Sequence, residues 1–511
     1  MTAVNLAAYF VDRNIDQGRG DSIALVTPAG PRTYASLAAA MNRIGNALLE
    51  VGVRPQQRVL LVLADSLEFV AAWYAVQKVG AVTAEAYTFL PAKDYAYYVD
   101  YTEAAAVIVD PGTLPRLREA LALSRHRPLL LVSGDGTTEL KGGEASLAAL
   151  VAGAAEQLAP VPAAADDIAI WKFTTGSTGH PKACVHPAHS AVASYEHYAR
   201  GVLDITADDV VLPVPKLFFG YARDLAALYP FGVGGSGIVF PERSTPERIF
   251  ELVARHRPSI LVTVPTMMQA MLEHPTAAEQ DLSCLRLCTS AGEALPALIH
   301  RRWLDRFGVP VMDGMGSSEA YHIFISGRPG RVRIGSMGEA VPGYDIDVVD
   351  DDGEPAGDGD IGRLRVRGDT IAREYWQEPE KTAQTFSANT VLTGDLAERD
   401  ADGYFWYRGR ADDLLKISGI WVAPTEVEAC LAAHPAVREA AVIGVDRDGL
   451  TRIRAYVVPR TGAQPSPDDL RAHVRSALSG HKVPHEIVLI EELPRTGSGK
   501  VDRRALHETP A

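Results

Sequence analysis

The run Thr174-Thr175-Gly176-Ser177-Thr178-Gly179-His180-Pro181-Lys182 gathers two glycines, four hydroxyls and a lysine. Glycine lets a backbone bend sharply and come close to a ligand. Free backbone N–H groups and hydroxyls around a concavity, with a cation beside them, suit phosphate. The run is not a Walker A loop, which needs Gly-Lys-Ser/Thr opening a helix. Here Pro181 precedes Lys182 and Ala183 follows it. Taken alone, the same composition also describes an ordinary surface turn.

A second group is Asp313-Gly314-Met315-Gly316-Ser317-Ser318-Glu319, with glycines around Met315, then hydroxyls, then a carboxylate closing the turn. A hard oxygen ligand beside phosphate-facing hydroxyls suits Mg2+, which takes few carboxylates and completes its shell with substrate oxygens. Asp395, in Thr393-Gly394-Asp395, can accept from two hydroxyl donors at once. Arg410 follows in Tyr407-Arg408-Gly409-Arg410-Ala411-Asp412-Asp413. The small residues of Ser290-Ala291-Gly292-Glu293 would let a flat ligand lie against backbone. Lys500 stands on a Gly-Ser-Gly turn in Pro494-Arg495-Thr496-Gly497-Ser498-Gly499-Lys500. In isolation each of these charges is a solvated loop residue.

Something must hold these loops. Ile168 to Phe173, just ahead of the first, reads as a buried strand. Leu37, Met41, Ile44, Leu48 and Val51 recur four and three apart and mark a helical face over residues 36–52, ended by Gly52 and Pro55. Residues 59–63, 107–109, 129–132, 210–214, 260–264 and 285–288 read as strands, and 67–79 as a helix. The alternation predicts an α/β fold of doubly wound, mostly parallel sheets, with ligands at the strands' carboxyl ends. Residues 285–296 read as strand, turn and helix start. Residues 134–166, rich in Gly, Ala, Pro and acid, read as a surface connection. Residues 338–367 carry short alternating strands with Asp-Gly and Pro-Gly turns, a smaller β subdomain. Beyond residue 412 a compact α+β pattern follows. The boundaries expected are therefore a large domain over 1–411 and a small one over 412–511.

A chain of 511 residues exceeds one core, so two or more domains are expected. A formal charge of −14 disfavours nucleic acid or an anionic membrane as a general partner. Cys184, Cys284, Cys288 and Cys430 show no zinc or disulfide pattern and read as reduced structural thiols. No basic-then-apolar leader and no membrane span is read, so the expected location is the cytoplasm.

The motifs together resemble the adenylate-forming superfamily of acyl-CoA synthetases, adenylation domains and luciferases, over nearly the whole chain, nearest to benzoate–CoA ligases. The resemblance implies ATP, Mg2+ and coenzyme A. It implies that Thr174, Thr175, Gly176, Ser177, Thr178, Gly179 and Lys182 cradle the β/γ-phosphates. Ser290, Ala291, Gly292 and Glu293 would form the adenine-side turn, with Asp313, Gly314, Met315 and Gly316 bordering the base. Ser318 would face the α-phosphate, Glu319 would hold Mg2+, and Asp395 and Arg410 would hold the ribose. Lys500, with Thr178 and Glu319, would form the catalytic set, and Asp412 the hinge that carries Lys500 in and out. Lys416 and Gly419 would turn inward for the thioester step. Met315 departs from the family's usual aromatic and offers softer packing to adenine. Ser318 replaces the usual threonine and keeps the hydroxyl.

For the acid, Lys216-Leu217-Phe218-Phe219-Gly220-Tyr221 and His322-Ile323-Phe324 resemble the pocket walls of benzoate enzymes. Phe219 would be the gate, and Gly220, Tyr221, Ala291, His322 and Ile323 would line the ring site. Gly220 stands where alanine is expected, which predicts a wider pocket and a bulkier acid. Ala222-Arg223-Asp224 and Glu85-Ala86-Tyr87-Thr88 depart from the family pattern too. The expected activity is activation of an aryl or bulky cyclic carboxylic acid to acyl-AMP and then transfer to CoA. Adenylation alone, transfer to a carrier protein, and a non-catalytic nucleotide sensor stand as alternatives. The sequence leaves a homodimer open.

Overall fold

The structure, a computed structural model, describes residues 4–164, 166–175, 181–350, 352–417, 420–447, 450–495 and 501–508. Arg58–Val62, Val82–Glu85, Ala106–Val109 and Leu129–Val132 are short, almost wholly buried strands. They pair in parallel, and Val82–Glu85 also pairs in parallel with Ile168–Thr175. Burial on both faces is what a parallel sheet covered by helices requires. One edge of this eight-stranded sheet corrects the surface connection expected across 134–166: Glu144–Ser146 is a strand and Leu147–Ala152 a helix. Arg118 holds Glu144 at 2.7 Å and Leu147 is buried, which fixes a segment whose composition alone reads as loop. At the other edge Pro181–Pro187 runs antiparallel to Ile168–Thr175, with Thr174 opposite Lys182. The phosphate-type loop is thus the tip of a β-hairpin. Glu374–Tyr375 adds the last strand against Cys184 and Val185.

A second, nine-stranded sheet has a parallel centre made of Val210–Pro213, Ser236–Ile238, Ile260–Thr263, Leu287–Ser290 and Val311–Gly316. Val311–Gly316 then turns back into the antiparallel strand Ile323–Ser326. Asp313 to Gly316, read from sequence as part of a turn, is therefore strand, and the turn is confined to residues 317–322. The helix Tyr34–Glu50 starts where the Thr33 hydroxyl accepts from the Ser36 N–H at 3.2 Å, and it buries Leu37, Met41, Ile44 and Leu48. The helix Leu67–Lys78 is buried on nearly every side. Both pack into one core with the helix Gly220–Ala227.

Tyr344–Val349, Ile361–Gly368, Phe386–Ser387, Thr390–Arg399 and Phe405–Arg410 form a five-stranded antiparallel sheet. A small C-terminal α+β domain follows, in which Val437–Arg447, Leu450–Pro459 and Glu486–Leu489 form the sheet. Its core of Val427, Leu431, Val442, Ile453, Val457 and Leu470 is its own. It touches the large part where the Gln269 amide donates to the Arg438 carbonyl at 2.9 Å and where Arg460 pairs with Glu273. All four cysteines are free. Among the described residues no helix is long and apolar enough to cross a membrane.

Candidate active site

Both arms of the hairpin are fixed by ladder hydrogen bonds. Gly176, Ser177, Thr178, Gly179 and His180 lie outside the described residues, as does Lys500. Around the tip, the described residues converge. The Lys182 ammonium lies over the Tyr375 ring, 4.1 Å from its centroid. The Tyr375 hydroxyl donates to Glu319 Oε1 at 2.7 Å, and the Ala372 N–H donates to the Glu319 carbonyl at 2.7 Å. Burial, and then the carboxylate of Glu319, push the Tyr375 phenol far above its ordinary range, so it stays a donor. Ser318 Oγ donates to the Phe173 carbonyl at 3.2 Å, and His186 Nε2 donates to the Ser318 carbonyl at 2.7 Å. Lysine, hydroxyl and carboxylate from two separate stretches thus meet at the base of one hairpin. Tyr375 and His186, which hold them there, carried no motif in the sequence.

Behind them, Ser290 and Asp313 stand opposite each other on adjacent parallel strands. Both are buried, and apart from each other Asp313 Oδ1 and Ser290 Oγ have no hydrogen-bond partner among the described residues. Burial pushes the Asp313 carboxyl well above the usual carboxylate range. Buried polar atoms without partners are costly and point to a missing one. A Cβ on Gly316 would come within 2.5 Å of the His322 carbonyl, and one on Gly314 within 3.0 Å of the Ile325 carbonyl, so the hairpin can close only with glycine there. Ile323 lies under both. Met315 is half-buried beside them. Gly292 has φ +86° and faces Phe219, whose ring edge would lie 3.8 Å from a Cβ there. Glu293 turns away from this turn and accepts from the Thr266 N–H and hydroxyl at 3.1 and 2.6 Å, at the start of the helix Pro265–Glu273.

Asp395 and Arg410 are paired across adjacent strands of the small sheet, 3.6 Å apart, and the guanidinium lies against Gly394, where a Cβ would meet it at 2.5 Å. Asp412 falls in the short 3-10 turn Ala411–Asp413 that follows. The loop of Lys500 is closed at its base, where Arg495 bridges Val501 and the Asp502 N–H donates to the Pro494 carbonyl at 2.8 Å. The Lys416 side chain and Gly419 lie outside the described residues.

The residues expected to line a ring site also come together. The Tyr221 ring lies edge-on to Phe219 at 6.1 Å and tilted against His322 at 5.7 Å. Ala291 is buried behind them. The Tyr221 hydroxyl bonds Thr289 Oγ1 at 2.7 Å. His322 Nε2 lies 3.3 Å from the Tyr221 carbonyl, which can only accept, so the proton sits on Nε2. Burial pushes this imidazole down to about 3, and it is neutral. The wider pocket expected from Gly220 is not what the structure has: the space of the absent methyl is faced by the Lys172 side chain, 3.0 Å from its Nζ.

Comparison with known proteins settles the family. The AMP-binding enzyme family matches residues 11–376, and its C-terminal domain family matches residues 426–500. The chain belongs to the AMP-binding enzyme family. This family member is 40% identical to a benzoate–CoA ligase of Thauera aromatica over 98% of its own length and 95% of the relative's. It is 38% identical to a 4-hydroxybenzoate–CoA/benzoate–CoA ligase of Rhodopseudomonas palustris, over 99% and 94% of the two chains. Its structure superposes with a TM-score of 0.93 on the anthranilate CoA ligase AuaEII in complex with anthranoyl-AMP, at 34% identity over 99% and 97%.

Proposed function

We propose that this enzyme is an AMP-forming aryl acid–CoA ligase. The observation that carries the reading is the convergence of Lys182, Ser318 and Glu319 on the base of one hairpin, in a chain alike over its full length to benzoate–CoA ligases. In the first step an oxygen of the acid's carboxylate attacks the α-phosphorus of ATP. The bond to the β-phosphate oxygen breaks, and acyl-AMP and pyrophosphate form. In the second step the CoA sulfur, its proton lost, attacks the acyl carbon and AMP leaves.

The residues take these roles. Residues 174–182 cradle the β/γ-phosphates, with the Lys182 charge at the hairpin's exit. Asp313 and Ser290, whose buried Oδ1 and Oγ have no partner but each other among the described residues, offer an acceptor and a hydroxyl to the base. Gly292, Gly314 and Gly316 let the base lie against backbone, Met315 packs on it, and Asp395 with Arg410 holds the ribose. Phe219, Gly220, Tyr221, Ala291, His322 and Ile323 line the ring site. Lys500 supplies positive charge where negative charge develops between carboxylate and α-phosphate. Domain 412–511 turns about Asp412 to withdraw it, so one cleft runs two chemistries in turn.

Glu319 is the residue suited to Mg2+: one of its oxygens is tied to Tyr375, and one protein carboxylate plus substrate oxygens is the donor set this ion prefers. The ion would neutralise phosphate charge. The partners of a metal-binding carboxylate tune its affinity by about 10–100-fold. Tyr375→Phe is therefore expected to raise the Mg2+ concentration for half-maximal ATP–pyrophosphate exchange about tenfold. A lowered rate at an unchanged Mg2+ requirement would take Glu319 out of that role.

The test of the whole reading is mass spectrometry of products from benzoate and a panel of substituted aryl acids with ATP and Mg2+, with and without CoA. Aryl-CoA and AMP are expected with CoA, and pyrophosphate exchange without it. An exchange-competent enzyme that never loads CoA would lose the second step, and no exchange with any acid would lose both.

A further inference from the structure

The two stretches that depart from the family pattern meet in space. Ala84 pairs with Trp171 across parallel strands, and Glu85 and Lys172 follow each of them on the same face. The helix Gly220–Ala227 packs Arg223 and Asp224 against that face. Arg223 Nη1 donates to Glu85 Oε1 at 2.5 Å and Nη2 to Asp224 Oδ1 at 2.8 Å. Lys172 Nζ donates to Asp224 Oδ2 at 2.6 Å. The Trp73 indole N–H donates to Glu85 at 2.6 Å. Two cations and two anions are thus buried together as a neutral set directly behind Gly220 and Tyr221. Buried ion pairs are poor stabilisers, since apolar residues of the same size usually do as well or better. A set of this kind next to a ligand site therefore asks for a use.

Lys172 is the member that faces the ring site across Gly220. Its side chain keeps 6% exposure while that of Asp224 keeps none. Of its three N–H donors, one goes to Asp224 and one to the Tyr321 carbonyl at 2.6 Å. The Tyr321 ring lies against Nζ as well, 3.5 Å from its centroid, and the remaining side faces Gly220, whose absent Cβ would sit 3.0 Å from Nζ. Tyr321 itself has φ 73°, a strained backbone for a bulky residue, and it is in this conformation that its carbonyl reaches Lys172. Burial lowers the ammonium to about 8, with Asp224 opposing the shift, so it is largely charged at neutral pH.

The geometry points to Lys172 as the hydrogen-bond donor for an oxygen substituent on the ring of the acid, since at Gly220 the amine stands within 3.0 Å of where a side-chain methyl would otherwise wall the ring site. The inference rests on the aryl-acid reading above and on Gly220 lining the ring site. An ammonium demands an acceptor. A ring hydroxyl oxygen fills that need; a methyl group of the same size cannot. A site built to bond a polar group also discriminates against the analogue lacking it, because its own donor is then left unpaired.

The experiment compares kcat/KM for aryl-CoA formation from matched acids, hydroxybenzoate against methylbenzoate, at the ortho, meta and para positions. At one ring position the native enzyme is expected to favour hydroxyl over methyl by about tenfold or more, the size of one hydrogen bond to a charged group. Lys172→Met is expected to bring that ratio to within about threefold of unity. Gly220→Ala, whose methyl would stand 3.0 Å from Nζ, between the amine and the ring site, is expected to do the same. Should Lys172→Met not fold by its melting profile, Gly220→Ala decides. Equal losses on both acids of a pair, with the ratio kept, would make the lysine purely structural and overturn the inference, as would a native ratio under threefold at every position. Failure of all aryl acids, unsubstituted benzoate included, would instead remove the proposed function and this inference with it.

Discussion

Lys500→Ala is expected to slow acyl-AMP formation by about a thousandfold or more while thioester formation from supplied acyl-AMP and CoA proceeds at close to the native rate. The first figure follows from what one preorganised charge at a developing anion is worth in a closed site, about a hundred- to a thousandfold for a single donor. Here the donor carries a full charge, which places the loss at or above the top of that range. The asymmetry follows from the two-step division proposed for the small domain. The loop of Lys500 is short and closed at its base by the Arg495–Val501 bridge. Arg503, just beyond the bridge, bonds Glu428 at 2.6 Å, so the segment that carries Lys500 is anchored within the small domain. Once acyl-AMP exists, negative charge no longer builds up between carboxylate and α-phosphate, so the lysine has no task. Pyrophosphate exchange measures the first half and thioester formation from synthetic acyl-AMP the second. Comparable losses in both would end the proposed division.

Motifs confined to one stretch of chain were legible before any coordinates. The hydroxyl-rich run at 174–182 and the alternation of strand and helix each need only neighbouring residues to be recognised. What the sequence hid depends on residues far apart. Glu85 and Arg223, 138 positions apart, look like two unrelated departures, and only folding shows that each answers the other. The missing methyl of Gly220 reads as empty space until Lys172 is seen facing it. A signal for that lysine was present, since a charge inside the apolar run Ile168 to Phe173 is rarely buried without a partner. No such signal marks Tyr375, whose contact with Glu319 arises because a two-residue strand returns to the hairpin. The strand and helix at 144–152 were hidden by composition: a ladder to Leu129–Val132, one buried leucine and one ion pair secure them.

The pairing of those two departures makes the second large effect. Arg223→Met is expected to destabilise the large domain by about 3–5 kcal/mol, the usual cost of leaving one half of a buried ion pair alone. Lys172 still answers Asp224 at 2.6 Å in that variant, so the uncompensated charge is Glu85. Burial already raises the Glu85 carboxyl, and Arg223 is the largest influence holding it down. Without the guanidinium its folded pKa rises further above the unfolded value, and the group takes up a proton. A raised carboxyl pKa gives stability that is present below the unfolded value of about 4.3 and is lost as pH rises through the folded one. The deficit of Arg223→Met relative to the native chain is therefore expected to be smaller at pH 5 than at pH 8. Adding Glu85→Gln removes the charge and leaves an acceptor for the Trp73 indole, so the double variant should regain most of the loss and show little of that pH dependence. Denaturant unfolding of the four chains at both pH values reads the coupling directly. The same helix begins at Gly220 and presents Tyr221, so loosening it should also raise the acid's KM in the single variant and not in the double. A deficit in Arg223→Met that ignores pH and that Glu85→Gln fails to relieve would mean the two departures neighbour each other without compensating.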